Sequence, residues 1–200
     1  MAETPLSNTT RSSGLLLVFS GPSGVGKTSI AHEIMQRLNG HFSISATTRS
    51  RGKEEIDGRD YRFLSHEDFQ LMIDNDAFLE YAEVFGRDLY GTPRDEVETH
   101  LENGDLVILY IDVQGALQVR THQPDALMIF ILPPSEQELV RRLTSRGRDD
   151  EDAMKARLAA AMKEIELAHS SGAYDAFVVN KNFDSAVQET IDLIIARKCS

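Results

Sequence analysis

Gly21-Pro22-Ser23-Gly24-Val25-Gly26-Lys27-Thr28 reads G-x-x-x-x-G-K-[ST]. It follows the apolar run Leu15-Leu16-Leu17-Val18-Phe19 and precedes a segment with Ile30, Ala31, Ile34, Met35 and Leu38 at helical spacing. Asn39-Gly40 is a helix stop. Strand, glycine-rich loop and helix in that order make the motif credible. The loop's backbone N–H groups then point into one concavity, and the helix N-terminus adds partial positive charge. Gly21 to Thr28 would cradle the phosphates of a nucleotide such as ATP. Lys27 would reach the β- and γ-phosphates, and the Thr28 hydroxyl would ligate Mg²⁺.

Working outward, three further apolar runs read as strands covered on both faces: Leu106 to Ile111, Ala126 to Leu132 and Ala176 to Val179. Helical stretches separate them. Thr92-Pro93-Arg94-Asp95 reads as an N-cap, a first-turn proline and a capping box, with Gly104 as terminator. Ser135-x-x-Glu138 opens a second helix that ends at Gly147. Asp149 or Asp150 caps a long third one, and Asp184 caps the last. Alternating strands and helices predict an α/β fold, a parallel sheet flanked by helices, with the phosphate loop at its carboxyl edge. Two regions interrupt the alternation. One runs from about 44 to 94 and contains a short helix opened by Ser65-x-x-Asp68. The other, from about 137 to 157, is dense in arginine.

The 200 residues suit one compact unit, and 41% apolar residues suffice for a core. A net charge of −11 argues against a general nucleic-acid binder. No apolar stretch is long enough to span a bilayer, and the polar residues 1–13 read as a disordered tail without a signal-peptide core. A cytoplasmic location is expected. The single cysteine, Cys199, excludes an internal disulfide, and the six scattered histidines read as surface or packing residues.

Arg142, Arg146 and Arg157 bracket a junction between two helices. Guanidiniums there suit phosphoryl transfer, whose transition state spreads negative charge over the moving group. Balanced by neighbouring acids, they equally suit a solvated charged helix. Asp112 ends a strand near the loop, where it can hold Mg²⁺ or cap a helix. A phosphate acceptor is already anionic, so no strong base is required, and a closing lid would keep water from ATP.

Several more motifs occur in order: Ser45-Ala-Thr-Thr-Arg49, Gly58-Arg-Asp-Tyr61-Arg-Phe63, Glu80 to Gly86, Tyr90-Gly-Thr92, Ile111-Asp-Val-Gln-Gly115 and Pro133-Pro-Ser135. From about Gly14 onward the chain resembles the guanylate kinases. That resemblance implies an ATP:GMP phosphotransferase, serving purine recycling and GTP supply, built in three parts. Residues 14–43, 95–136 and 158–200 would form the P-loop NTPase core, 44–94 a mixed α/β GMP-binding domain, and 137–157 a helical lid. Ser45, Arg49, Tyr61 and Tyr90 would hold the GMP phosphate. Glu80 would read guanine, since an ionised carboxylate accepts from N1–H and N2–H₂ together. Thr92 and Asp112 would add base contacts, with Thr92 also eligible as an N-cap. Arg142, Arg146 and Arg157 match the lid arginines and, with Lys27 and Arg49, would serve catalysis. Asn180 would contact the adenine side or turn the chain. ATP and Mg²⁺ are the implied co-substrate and metal; self-association is left open.

The chain departs from the family pattern. The usual proline after Thr48-Arg49-Ser50 is absent, and the second phosphate arginine falls on Gly52, leaving Arg51 or Lys53 to supply the charge. The segment from Glu80 to Tyr90 is one residue longer than usual. Tyr110 replaces an acid two residues before Asp112. Two other readings compete: a scaffold domain that binds phosphorylated peptides, and a small P-loop kinase acting on a sugar phosphate. The intact Lys27 and Thr28 disfavour the first, and Glu80 in its motif disfavours the second.

Overall fold

Residues 14–84, 86–144 and 151–199 are described by a computed structural model. The polar stretch 1–13, the expected terminator Gly147, the expected caps Asp149 and Asp150, and the candidate arginine Arg146 lie outside the described residues.

The first apolar run is β1, Leu15–Ser20, with all six residues buried. A strand can be apolar throughout only when helices cover both faces of its sheet. The loop leads into α1, Lys27–Leu38, which ends where Asn39 turns left-handed at φ 50°. The elements that follow are β2 (His41–Phe42), β3 (Ala46–Thr47), β4 (Arg62–Phe63), α2 (His66–Asp74), β5 (Phe78–Val84), β6 (Asp88–Pro93) and α3 (Arg94–Glu102). The remainder alternates: β7 (Leu106–Tyr110), α4 (Val113–His122), β8 (Leu127–Leu132), α5 (Glu136–Thr144), α6 (Glu151–Ser171), β9 (Ala176–Val179) and α7 (Phe183–Lys198).

Five strands form one sheet in the order β2-β7-β1-β8-β9, and every pairing is parallel. Chain order therefore differs from spatial order, and β1 lies at the centre between β7 and β8. One face packs Leu17, Phe19, Ile108, Ile129 and Ile131 against Ile30 and Ile34 of α1, Leu139 and Leu143 of α5, and Val187 and Ile191 of α7. The other face packs Val18, Val107, Leu109 and Met128 against Val97 of α3, and Ala116 and Val119 of α4. Side chains alternate across each strand, so the same run feeds both cores.

The interruption from 44 to 94 holds a second sheet, β4-β3-β6-β5, mixed in direction. Its small core joins Ala46 to Phe69 of α2 and Phe78 of β5, whose rings stack at 4.4 Å. Along β5 the residues Phe78, Leu79 and Glu80 are all buried, breaking strict alternation where the register with β6 shifts. Phe78 packs in the second core while Leu79 joins the core of the first sheet.

Two expected details change. Thr92 does not cap α3: Pro93 holds the N-cap position, and Thr92 belongs to β6 with its hydroxyl turned elsewhere. The cap of α7 is Asn182, whose side chain accepts from the Ser185 N–H, and Asp184 stands in the first turn. An acid in either place suits the positive helix end, which is why sequence misplaced it. Helix α4 had no clear sequence signal; its apolar positions are few, and Gly115 stands in its first turn.

Candidate active site

Beyond β1, the loop turns back under α1 and opens a cavity of about 370 Å³ lined by Gly21, Pro22, Ser23, Gly24, Gly26, Lys27, Thr28, Asp112 and Glu164, among others. Gly26 has φ 94°, and a Cβ there would stand 2.7 Å from Asn180 Nδ2. Only glycine meets both demands. The Asn180 amide donates to the Val25 carbonyl at 2.7 Å and is itself buried. Asn180 thus braces the loop through its side-chain amide. Lys27 donates to the carbonyls of Gly21 and Pro22. Burial lowers its pKa, while Glu164 and Asp112 oppose that shift.

Two of the three predicted arginines, Arg142 and Arg157, reach the same loop or its brace Asn180. Arg142 in α5 donates to the Asn180 carbonyl at 3.0 Å and pairs with Glu138 at 2.8 Å. Arg157 in α6 donates to Ser23 Oγ at 3.1 Å. Thr28 is exposed and lines the cavity. Asp112 is the N-cap of α4, accepting from the Gly115 N–H at 2.8 Å, and also faces the cavity, so the two sequence readings of this residue coexist.

A second cavity, about 470 Å³, is lined by Ser43, Ser45, Arg59, Tyr61, Tyr90, Thr92, Tyr110 and Ile111, among others. Tyr110 and Ile111 border both cavities. At this second site Arg49 donates to Tyr90 Oη at 3.1 Å and forks onto Glu55 at 2.7 and 3.0 Å. Its guanidinium lies 5.3 Å from the Tyr61 ring centroid and 5.6 Å from that of Phe63. The Tyr61 and Tyr90 rings meet edge-on at 5.9 Å. Hydrogen bonds from Arg49 and from the Gly52 N–H hold the Glu55 carboxyl below its usual range. Burial raises the Tyr61 phenol.

Glu80 lies behind Thr92, whose hydroxyl donates to its Oε1 at 2.6 Å. Burial pushes the Glu80 carboxyl up; the Thr92 bond pulls it down and Asp112 adds to the rise. Its other oxygen rests against α4: a Cβ at Gly115 would come within 2.9 Å of Oε2. Both chain neighbours of Glu80 are held by the same helix. The Leu79 carbonyl accepts from His122 Nδ1 at 2.8 Å, and the Gln118 side-chain amide exchanges two hydrogen bonds with the Tyr81 backbone at 3.0 and 3.1 Å.

Sequence reasoning missed four contributors. Glu55 grips Arg49. Glu164, half-buried on α6 with its carboxyl pushed up by burial, faces Lys27. Arg59 borders the second cavity, whereas the two expected cations Arg51 and Lys53 are exposed and do not line it. Ser43 Oγ, also on that cavity, is buried without a hydrogen-bond partner among the described residues. The Gly-Lys-Glu-Glu run hides Glu55, and the long helix period hides Glu164.

A glycine loop of phosphate-binding form beside a cavity lined by an arginine and tyrosines fits the class of P-loop kinases that act on a nucleoside monophosphate. Comparison with known proteins makes the class particular. The guanylate kinase family model matches residues 13–197. A guanylate kinase of Syntrophomonas wolfei is 47% identical over 93% of this chain and 94% of its own length. One from Clostridium acetobutylicum is 42% identical over 93% of this chain and 87% of its own. The crystal structure of guanylate kinase from Anaplasma phagocytophilum superposes with a TM-score of 0.71 at 34% identity, covering 94% of this chain and 88% of that one. The chain belongs to the guanylate kinase family, and its activity is phosphorylation of GMP by ATP.

Proposed function

We propose a division of labour among these residues, carried by one observation: Glu80 is buried, oriented by Thr92, and aimed from a strand that α4 fixes on both sides of it. In this reading the Glu80 carboxylate accepts from guanine N1–H and N2–H₂. Adenine offers a lone pair where guanine has N1–H, so AMP meets an acceptor facing an acceptor. Ser45, Arg49, Tyr61 and Tyr90 hold the acceptor phosphate, Arg49 after exchanging part of its bonding to Glu55. Arg59, Arg51 or Lys53 supplies the second positive charge that Gly52 cannot.

The donor phosphates lie in the loop from Gly21 to Thr28, with Asn180 holding that loop in shape. An oxygen of the GMP phosphate attacks the γ-phosphorus of ATP. The bond from that phosphorus to the β–γ bridging oxygen breaks, and its electron pair leaves on ADP. Lys27, Arg142 and Arg157 neutralise charge as it spreads over the moving group. Arg146 has the same assignment by sequence.

The oxygen donors on the loop cavity, Thr28, Asp112 and Glu164, fit a hard divalent cation. Bound Mg²⁺ would supply charge neutralisation across the β- and γ-phosphates. Residues 44–94 act as the acceptor-binding part and 137–157 as the lid, moving against the core of 14–43, 95–136 and 158–200. A cytoplasmic location and a role in purine recycling and GTP supply complete the reading. No helix among the described residues is long and apolar enough to cross a membrane.

ADP formation from ATP and Mg²⁺, with GMP, AMP, CMP and UMP offered singly, tests this assignment. Turnover with GMP alone, and its loss of selectivity in Glu80→Gln, is expected. Unchanged GMP-over-AMP preference in that variant would remove Glu80 from the role. Alanine at Arg51, Lys53 or Arg59 identifies the second cation by a rise in KM for GMP in one of the three.

A further inference from the structure

At the edge of the five-stranded sheet opposite the phosphate loop, three side chains from separate elements meet. His41 opens β2, His100 sits in the last turn of α3, and Asp105 immediately precedes β7. Asp105 Oδ2 is 2.8 Å from His100 Nδ1 and 3.8 Å from His41 Nε2. One ring nitrogen of each histidine and one carboxylate oxygen all fall within 4.8 Å of one another. The two rings stack with centroids 4.6 Å apart and 22° between their planes.

Part of this is a turn contact. Asp105 N–H donates to the His100 carbonyl at 3.0 Å, so that pair would meet in any case. His41 needs no such meeting, since it arrives from the connection after α1. We propose that His41, His100 and Asp105 form a binding site for a divalent transition metal ion of the zinc type, separate from the nucleotide cavities.

Two neutral imidazoles and one carboxylate are a donor set that zinc accepts and that magnesium, which prefers oxygen alone, does not favour. Ligand bonds of about 2.0–2.1 Å in a tetrahedron place donor atoms about 3.3 Å apart. The two measured separations to Asp105 Oδ2 bracket that spacing. Lone pairs lie in the ring planes, so the stacked rings must swing about χ2 to aim at one ion. Both are partly exposed, at 43% and 34% of their side-chain surface, and no side-chain hydrogen bond holds the His41 ring among the described residues. Three protein ligands leave an open position for water. The bound ion would tie β2, α3 and β7 together and stabilise the folded chain by mass action.

The test uses the full chain, stripped with chelator and dialysed, then titrated with ZnCl₂ by calorimetry in saturating MgCl₂. His41→Asn, His100→Asn and Cys199→Ser are measured alongside. The expected result is one saturable equivalent that Mg²⁺ does not displace and a Zn²⁺-dependent rise in Tm. Each histidine variant should bind about tenfold weaker or more, because loss of a ligand costs at least what loss of its supporting partner does. Cys199→Ser should bind as wild type. Co²⁺ in place of Zn²⁺ should give visible absorption that both histidine variants lose. Absence of a saturable equivalent overturns the site. So does unchanged affinity in His41→Asn, which would assign the ion to a two-residue turn or to another place. Should His100→Asn fail to fold, Asp105→Asn takes its place with the same expected loss. Phosphotransfer without Zn²⁺ should be unaffected in His41→Asn.

Discussion

Glu80 carries a stability cost, which the proposed role of guanine reader accounts for. Burial raises its pKa above that of an unfolded glutamate, so the folded state holds the proton more tightly. The ionised form therefore subtracts stability above the folded pKa, and stability is regained as pH falls through it. Glu80→Gln keeps the shape and removes the buried charge. It should raise Tm at pH 8 by about 2–4 °C, the equivalent of ~1 kcal/mol, while GMP selectivity is lost. A lower Tm in calorimetry would mean the charge is better compensated than Thr92 and α4 allow. The wild-type kcat/KM for GMP should fall as pH drops through the same group, and that limb should be missing in Glu80→Gln. Gly115 makes the complementary prediction. Gly115→Ala improves helix propensity by about 1 kcal/mol yet places a methyl against Glu80 Oε2. KM for GMP should rise about 10–100-fold in steady-state assays with KM for ATP near wild type.

At the scale of elements, β5 is an edge strand whose free side is answered by α4. Gln118 satisfies both backbone groups of Tyr81, a service usually given by a neighbouring strand. Gln118→Ala should free that edge and raise KM for GMP several-fold; hydrogen exchange at Tyr81 should quicken. Equal exchange in the variant would show the edge held by packing alone. Asn180→Ala removes the 2.7 Å bond to the Val25 carbonyl, leaving Arg142 Nη1 at 3.4 Å as its remaining donor, and should cost about 1 kcal/mol, read by denaturant unfolding, with weaker ATP binding. The strands β1, β7, β8 and β9 and the helices α1, α2, α3, α5, α6 and α7 were legible from their apolar periods, although the end signals of α3 and α7 pointed to the wrong capping residue. The short β2 and β3 were not, since two residues carry no period and exist only through their partners, whereas the alternation Tyr61-Arg62-Phe63 marks β4. Helix α4 stayed hidden because its buried face includes Gly115 and Ala116, small residues that mark close approach rather than amphipathicity. Thr92 was half legible: its chemistry was right for a site, but its hydroxyl serves Glu80 instead of a helix end.

Taken as one molecule, the two cavities share Tyr110 and Ile111 but have separate linings otherwise. Phosphates bound in each must approach for transfer. Small-angle scattering should therefore show a smaller radius of gyration with GMP and a non-hydrolysable ATP analogue together than with either alone. An unchanged radius would require the reaction to occur without closure. Legibility at this scale came from motif order along the chain; charge and composition alone said only that nucleic acid was an unsuitable partner.

The central position of β1 has a further cost during synthesis. Leu15–Ser20 is made well before its neighbours β7 and β8, which start at Leu106 and Leu127. A nascent chain must carry this unpaired, nearly all-apolar strand at least until the 85 residues that separate Ser20 from Leu106 have been made. Such a segment favours intermolecular β-pairing, and long-range parallel pairing is slow to relieve it. The hairpin of β5 and β6, by contrast, can close as soon as it emerges. Birth order thus runs against assembly order in this protein, and its yield on rapid expression should depend on chaperones that shelter the first strand.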